Sequence, residues 1–306
     1  MTEIYLYGLF GSIVMLAILI DLGVFHRKAH EVSFREALIW VVVWIVLALA
    51  FCLVVYHYKG GSKAMEFLTG YVVEITLSVD NIFVFIVIFS YFSVPKKNYH
   101  LVLYWGVIGA LVMRAIFIFI GGALIDQFAW ILYIFGAFLV YSGIKLFRLH
   151  SEDDMVDVSK NPVLRMANRY LRIHATYEGS KFFIRENRIW YATPLLLVVL
   201  MVETTDLIFA VDSIPAIFGI TRDTFIVYTS NMFAILGLRS MFFLLASVID
   251  KFRYLKKGLA IVLTFIGVKM LTEHWYHIPI TISLMVVLSV ITFSIALSYF
   301  IKEKVR

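Results

Sequence analysis

Apolar runs of about twenty residues, the length a helix needs to cross a hydrocarbon core, fill most of this sequence. Nine can be delimited, near 4–25, 37–57, 64–93, 99–124, 128–148, 191–218, 225–249, 257–272 and 278–301. Inside lipid only helices and closed barrels satisfy every backbone amide, and runs of this length are too long for barrel strands. The expected fold is an all-α polytopic membrane protein, a single transmembrane domain over 1–306. Composition agrees, with 62% hydrophobic and 16% charged residues against about 25% charged in soluble domains. The net charge of +6 then points to basic loops beside a lipid bilayer and not to nucleic acid. The single cysteine, Cys52, cannot form an intrachain disulfide and reads as an apolar filler. The first run lacks the basic start of a secretory leader and is expected to be retained.

Lysine and arginine are distributed unevenly among the connections. The odd-numbered connections and the tail hold 20 of them, eight in the stretch from Arg148 to Arg188, whereas the even-numbered connections hold 3. Positive residues stay in the cytoplasm, so the N-terminus is expected outside and the C-terminus inside. The connection 149–190 is the one sizeable extramembrane element. It opens on the acidic run Ser151 to Asp157 and continues through a basic amphipathic stretch from Asn161 to Ala175, read as a solvated loop and a headgroup-level helix.

Two of the apolar runs contain carboxylates, which are costly in hydrocarbon and mark sites or pathways. The third holds Glu74 and Asp80, with Ser78 and Asn81. The sixth holds Glu203, Asp206, Asp212 and Ser213. Glu74, Ser78 and Asn81 share a helical face, and Glu74 to Asp80 lie roughly 15–24 Å along their helix. At an offset of 132 residues, Glu74 aligns with Asp206, Asp80 with Asp212 and Asn81 with Ser213. The resemblance continues through Met113-Arg114-Ala115 and Leu238-Arg239-Ser240, through Ile125 to Phe128 and Ile249 to Phe252, and through Gly143-Ile144-Lys145 and Gly267-Val268-Lys269. Two copies of three spans each, 64–148 and 191–272, are therefore expected, flanked by spans within 4–57 and by a final span at 278–301. An odd span count per copy makes the copies inverted, an architecture that places a transport site at the midplane. Glu203 and Pro215 have no counterparts, because Tyr71 and Phe83 stand there. Pro215 removes a helical hydrogen bond, so the second copy is expected to break or bend.

The candidate ligand set is Glu74, Asp80, Asn81, Glu203, Asp206, Asp212 and Ser213, all oxygen donors, which suit Mn²⁺, Mg²⁺ or Ca²⁺ better than zinc or copper. Five carboxylates face the two intramembrane arginines, Arg114 and Arg239. Three negative charges remain if all ionise, and a divalent cation with protons would balance them. Plainer readings compete. The arginines could neutralise the acids in a static bundle, and Ser78, Asn81 and Ser213 could join helices by hydrogen bonds. Thr204, Thr205 and Asn231 read as packing groups. Lys145 and Lys269 read as snorkelling lysines, and His274 with His277 as an interface cluster.

The segments Leu77-Ser78-Val79-Asp80-Asn81-Ile82-Phe83 and Phe209-Ala210-Val211-Asp212-Ser213-Ile214-Pro215 resemble the TerC family, and its Alx-type branch most. The segments Phe89 to Pro95, Trp130 to Phe138 and Ser230 to Arg239 extend the match to nearly the whole chain. The resemblance implies an inner-membrane protein of the LysE-like transporter class. It ties the Alx-type branch to Mn²⁺ export and growth at alkaline pH, and other relatives to tellurite resistance or metal supply to secreted enzymes. It assigns functional roles to Glu74, Asp80, Asp206 and Asp212, with Glu203 beside them. The leading expectation is a secondary exporter of Mn²⁺ in exchange for protons, not an enzyme. A membrane partner that supplies metal to secreted enzymes or the secretion machinery is the alternative. An intramembrane aspartyl hydrolase is the weakest reading, since neither Gly-x-Gly-Asp nor His-Glu-x-x-His occurs.

Overall fold

The computed structural model describes residues 2–25, 33–128, 130–148, 166, 169, 171–174, 176–186, 188–246, 254–272, 275–276 and 278–300. Among them are nine long helices. These are α1 (Thr2–Phe25), α2 (Phe34–Lys59), α3 (Gly61–Tyr91), α4 (Tyr99–Gln127), α5 (Ile131–Arg148), α6 (Pro194–Phe218), α7 (Thr224–Ala246), α8 (Leu255–Thr272) and α9 (Ile280–Phe300). Each expected run has its helix. Seven of them, α2 to α7 and α9, are long and apolar enough to cross a membrane. Of α1 only the side chains from Ile4 to Leu16 are described, and α8 carries Lys256, Lys257 and Lys269 within its 18 residues.

Local chemistry sets the helix ends. The Ser33 hydroxyl accepts from the Glu36 amide at 3.2 Å and caps α2. Gly60, at φ 88°, is the single residue between α2 and α3. That left-handed backbone suits glycine and lets one helix end and the next begin without a loop. Pro194 occupies the first turn of α6, where its missing amide leaves no bond unmade. The sixth helix was expected from residue 191, but Ile189–Ala192 is a strand. The expected break at Pro215 does not occur either. Pro215 lies in the last turn of an α6 that continues to Phe218, so the single amide it withholds costs the helix little.

Burial separates a centre from a periphery. In the spanning windows of α3 and α7, 73% and 72% of residues are buried, against 22% in α2, α5 and α9. The interior has two apolar bodies, one toward each end of the central helices. One joins Val73 and Leu77 of α3, Ile118 of α4, Ile214 and Ile217 of α6, Val227 of α7 and much of α8. The other joins Ile82 to Phe89 of α3, Val102 and Leu103 of α4, Leu195 to Val202 of α6, and Leu238 and Phe242 of α7. Outside them, Phe10 of α1, Phe51 of α2, Phe67 of α3 and Phe233 of α7 form an aromatic cluster that holds the first two helices to the centre.

Helices α5 and α8 meet along a glycine seam. A Cβ on Gly267 would stand 2.7 Å from the Gly136 carbonyl oxygen, and one on Gly143 would stand 2.8 Å from that of Ala260. The lower number on one helix pairs with the higher on the other, so the two helices run antiparallel. Small residues permit such backbone contact between membrane helices.

The connection before α6 contains an element that the sequence reading did not anticipate, an antiparallel hairpin of β1 (Phe183–Glu186) and β2 (Ile189–Ala192). Tyr177 donates to the Phe92 carbonyl at 2.7 Å, and Asn98 Nδ2 donates to the Gly179 carbonyl at 2.9 Å, which tie this segment to the α3–α4 turn. Burial pushes the Tyr177 phenol up to about 12, so it remains a donor through the alkaline range. The acidic run 151–157 and most of the amphipathic stretch 161–175 lie outside the described residues.

Candidate functional site

A polar layer lies where the two apolar bodies meet, and Arg114 of α4 is its hub. Its guanidinium is 1% exposed. Nε and Nη2 donate to the two Asp206 oxygens at 3.2 and 3.0 Å, a two-pronged grip. Nη1 donates to Glu74 Oε1 and, at 3.3 Å, to Ser213 Oγ. Asn81 Nδ2 adds a bond to Asp206 Oδ1 at 3.2 Å. Three helices thus converge: α3 brings Glu74 and Asn81, α4 brings Arg114, and α6 brings Asp206 and Ser213. The shared face expected for Glu74, Ser78 and Asn81 is the face that α3 turns to this layer.

The electrostatics are tight. Glu74 and Asp206 are 0% and 3% exposed, and burial of such charges is tolerable only with close pairing. Two carboxylates share one guanidinium, so the described cluster carries one excess negative charge if both ionise. Asp206 has both oxygens engaged. Glu74 does not: among the described residues its buried Oε2 has no hydrogen-bond partner, and neither has Ser78 Oγ.

Glu203 takes a different place. Its carboxylate lies directly against Gly109 of α4, where any side chain would collide with it. This glycine, invisible as a functional position in the sequence, is the reason an acid fits there. Arg239 of α7 is 4% exposed and lines, with Asp206, Gly106 and Ala110, a closed cavity of about 10 Å³, the lower limit for one water molecule. A larger groove of about 540 Å³, lined by Ile144, Phe147, Ile261 and Val268, lies on the outer side of the α5–α8 seam and touches none of the acids.

The helices of Asp80 and Asp212 are described, but their side chains lie outside the described residues, so the seven-residue ligand set is brought together in part. Among the described residues no three His, Cys, Asp or Glu side chains form a metal-holding group. Arg114 stands between Glu74 and Asp206. His274 and His277 are also outside the described residues. Lys145 is exposed on α5 as a snorkelling lysine should be, but Lys269 is buried at 5% exposure. Asn231, read from sequence as a packing group, is 0% exposed, and among the described residues both its amide atoms are unpartnered. Its α7 position between Val227 and Leu238, residues of the two apolar bodies, is the signal that could have revealed it.

Comparison with known proteins fits this arrangement. Residues 59–306 match the family described as "Integral membrane protein TerC family". The chain is 47% identical over 308 residues to a Salmonella typhi protein named "Putative membrane-bound redox modulator Alx", covering 98% of this chain and 95% of the relative. The Escherichia coli K12 protein of the same name is 46% identical over 308 residues, with 98% and 95% covered. A Myxococcus xanthus protein, "Uncharacterized membrane protein STKORF319", is 47% identical over 293 residues, with 96% and 91% covered. No solved structure matches the chain. The chain belongs to the TerC family of integral membrane proteins, and within it to the branch whose members carry the name Alx.

Proposed function

We propose that this protein is a secondary transporter that exports a divalent metal, Mn²⁺ foremost and Ca²⁺ as the nearest competitor, across the inner membrane in exchange for protons. The observation that carries the reading is the buried Glu74–Arg114–Asp206 cluster at the junction of two three-helix units. A static bundle has little use for two desolvated carboxylates held by one cation. A transporter uses them as an exchangeable site, with Arg114 as the internal counter-ion that keeps the acids paired between cargo ions. Asp80, Asp212 and Glu203 would complete the ligand set or carry the returning protons.

Alternating access follows from inverted repeats, and the reciprocal α5–α8 contacts support that symmetry. Under the sequence alignment Gly143 corresponds to Gly267 and Gly136 to Ala260, and each glycine of the aligned pair packs on the partner of the other. The units α3–α5 and α6–α8 would rock about this seam, with the N-terminus outside and the hairpin on the cytoplasmic side. The name borne by the relatives, a redox modulator, fits an indirect route. Cys52 is the only thiol, which leaves no intrachain dithiol, whereas control of a redox-active metal would alter the redox state of a cell.

Everted membrane vesicles test the reading. Mn²⁺ should accumulate in vesicles that contain the protein, faster with an imposed proton gradient. Asp206→Asn, Asp80→Asn and Asp212→Asn should each abolish that uptake with the protein still inserted. Uptake by these variants at the wild-type rate would exclude the carboxylate site.

A further inference from the structure

Four hydroxyls of α3 and α7 are satisfied within their own helices. Thr69 and Thr76 donate to Met65 and Val72 carbonyls at 2.7 Å. Thr229 and Ser230 donate to Phe225 and Ile226 carbonyls at 2.8 and 2.7 Å. Asn231, the next residue, breaks this pattern. Its amide reaches no helical carbonyl and, among the described residues, no partner at all. A buried primary amide with two donors and an acceptor unmet is costly, and a chain that needed only packing there would be served better by leucine.

The place of Asn231 is informative. Helices α3 and α7 run parallel, with Gly70 against Ser230 and Phe89 against Phe242. From the Gly70–Ser230 contact, Asn231 lies one residue further and Glu74 four, so their Cα atoms differ by about 4.5 Å along the axis. Helical side chains lean toward the N-terminus, in the same sense on both parallel helices, and the Glu74 side chain, one methylene longer, spans part of that offset. Val227, one turn earlier on the same face, packs in the apolar body that contains Val73 and Leu77 on either side of Glu74. The unpartnered Oε2 of Glu74 and the unpartnered amide of Asn231 therefore occupy one stretch of the same seam.

We propose that Asn231 Oδ1 and Glu74 Oε2 form a cation position on the α3–α7 seam, apart from Asp206, whose two oxygens Arg114 already engages. This rests on the transport reading above and extends it to a residue that no acidic motif marks. A neutral amide oxygen beside a single carboxylate suits a hard divalent ion in passage, held by one full charge and one dipole. Ser78 Oγ, one turn beyond Glu74 and also unpartnered, is the next oxygen along.

Purified protein in nanodiscs provides the test, with Mn²⁺ binding followed by electron paramagnetic resonance, Mn²⁺ flux in proteoliposomes, and thermal unfolding. Asn231→Leu should raise the unfolding midpoint, because the stranded amide is gone, while Mn²⁺ binding weakens roughly 10-fold, as for a lost supporting ligand. Asn231→Asp, which keeps the shape, should bind Mn²⁺ more tightly than wild type and alter the preference among Mg²⁺, Ca²⁺ and Mn²⁺. Wild-type Mn²⁺ affinity and flux in both variants would overturn the inference, whichever way the midpoint moves. If Asp206→Asn loses binding and the Asn231 variants do not, this position fails and the transport reading stands. If the wild-type protein itself binds no Mn²⁺, both fall together.

Discussion

The two sets of three helices, α3–α5 and α6–α8, differ in chemistry at positions that align in sequence. In one contact, α6 lays the Glu203 carboxylate on Gly109 of α4. The aligned positions on the other side are Tyr71 of α3 and Ala234 of α7, and both belong to an aromatic and aliphatic cluster with α1 and α2. One unit thus gives an acid room against a bare helix surface, and the other closes the same place with a ring. The arginines differ as well. Arg114 gathers Glu74, Asp206 and Ser213 across both units, while Arg239 lines the small cavity next to Asp206. Positions that align in sequence thus hold different chemistry on the two sides of the polar layer.

Variants can break this comparison. The largest effect is expected for Arg114→Gln, which strands two buried carboxylates. Loss of one partner from such a cluster costs about 3–5 kcal/mol, enough to remove most folded protein from detergent extracts as judged by size-exclusion chromatography. Recovery by a second change, Glu74→Gln, would identify charge and not shape as the cause. Next come the seam glycines. Gly143→Leu and Gly267→Leu each drive a side chain into the backbone of the opposite helix, at about 1–3 kcal/mol apiece. Equal losses in thermal unfolding would express the symmetry of the seam, and a large inequality would deny it.

The smallest effect on stability, and the sharpest on the asymmetry, is expected for Gly109→Ala. The new methyl meets only the end of the Glu203 side chain, and the helix gains about 1 kcal/mol in propensity. Stability should hold within about 1 kcal/mol while Mn²⁺ uptake by vesicles falls, because the carboxylate is displaced. Ala234→Gly, the mirror change, should leave uptake at the wild-type rate.

Much of this was legible in the sequence. Span positions follow from length and hydropathy, and the meeting of Glu74 with Asp206 follows from the repeat. Partner faces were less legible for a physical reason. Lipid and protein interior are both apolar, so α4 and α6 show no polar stripe to separate lipid-facing from packed residues, and the Gly109–Glu203 contact leaves no periodic trace. The hairpin was missed because strands of four residues beside a basic stretch carry a weak alternation signal. Pro215 does not end its helix because it stands in the last turn, where the one carbonyl it leaves unpaired interrupts little of the ladder. A lone amide in an apolar run looks like helix–helix glue, and only the packed structure shows that Asn231 has no hydrogen-bond partner among the described residues.

The two apolar bodies on either side of the polar layer have an electrical consequence. Where both bodies exclude water, a membrane voltage would fall across each of them, with the polar layer between. An elementary charge that moves from Arg114's partners to either surface would cross about half the field, on the order of 1 kcal/mol at 100 mV. A doubly charged ion would feel twice that. Whichever body parts first, the step through it would be the voltage-sensitive one, and current recordings on a supported membrane would register it as a charge displacement.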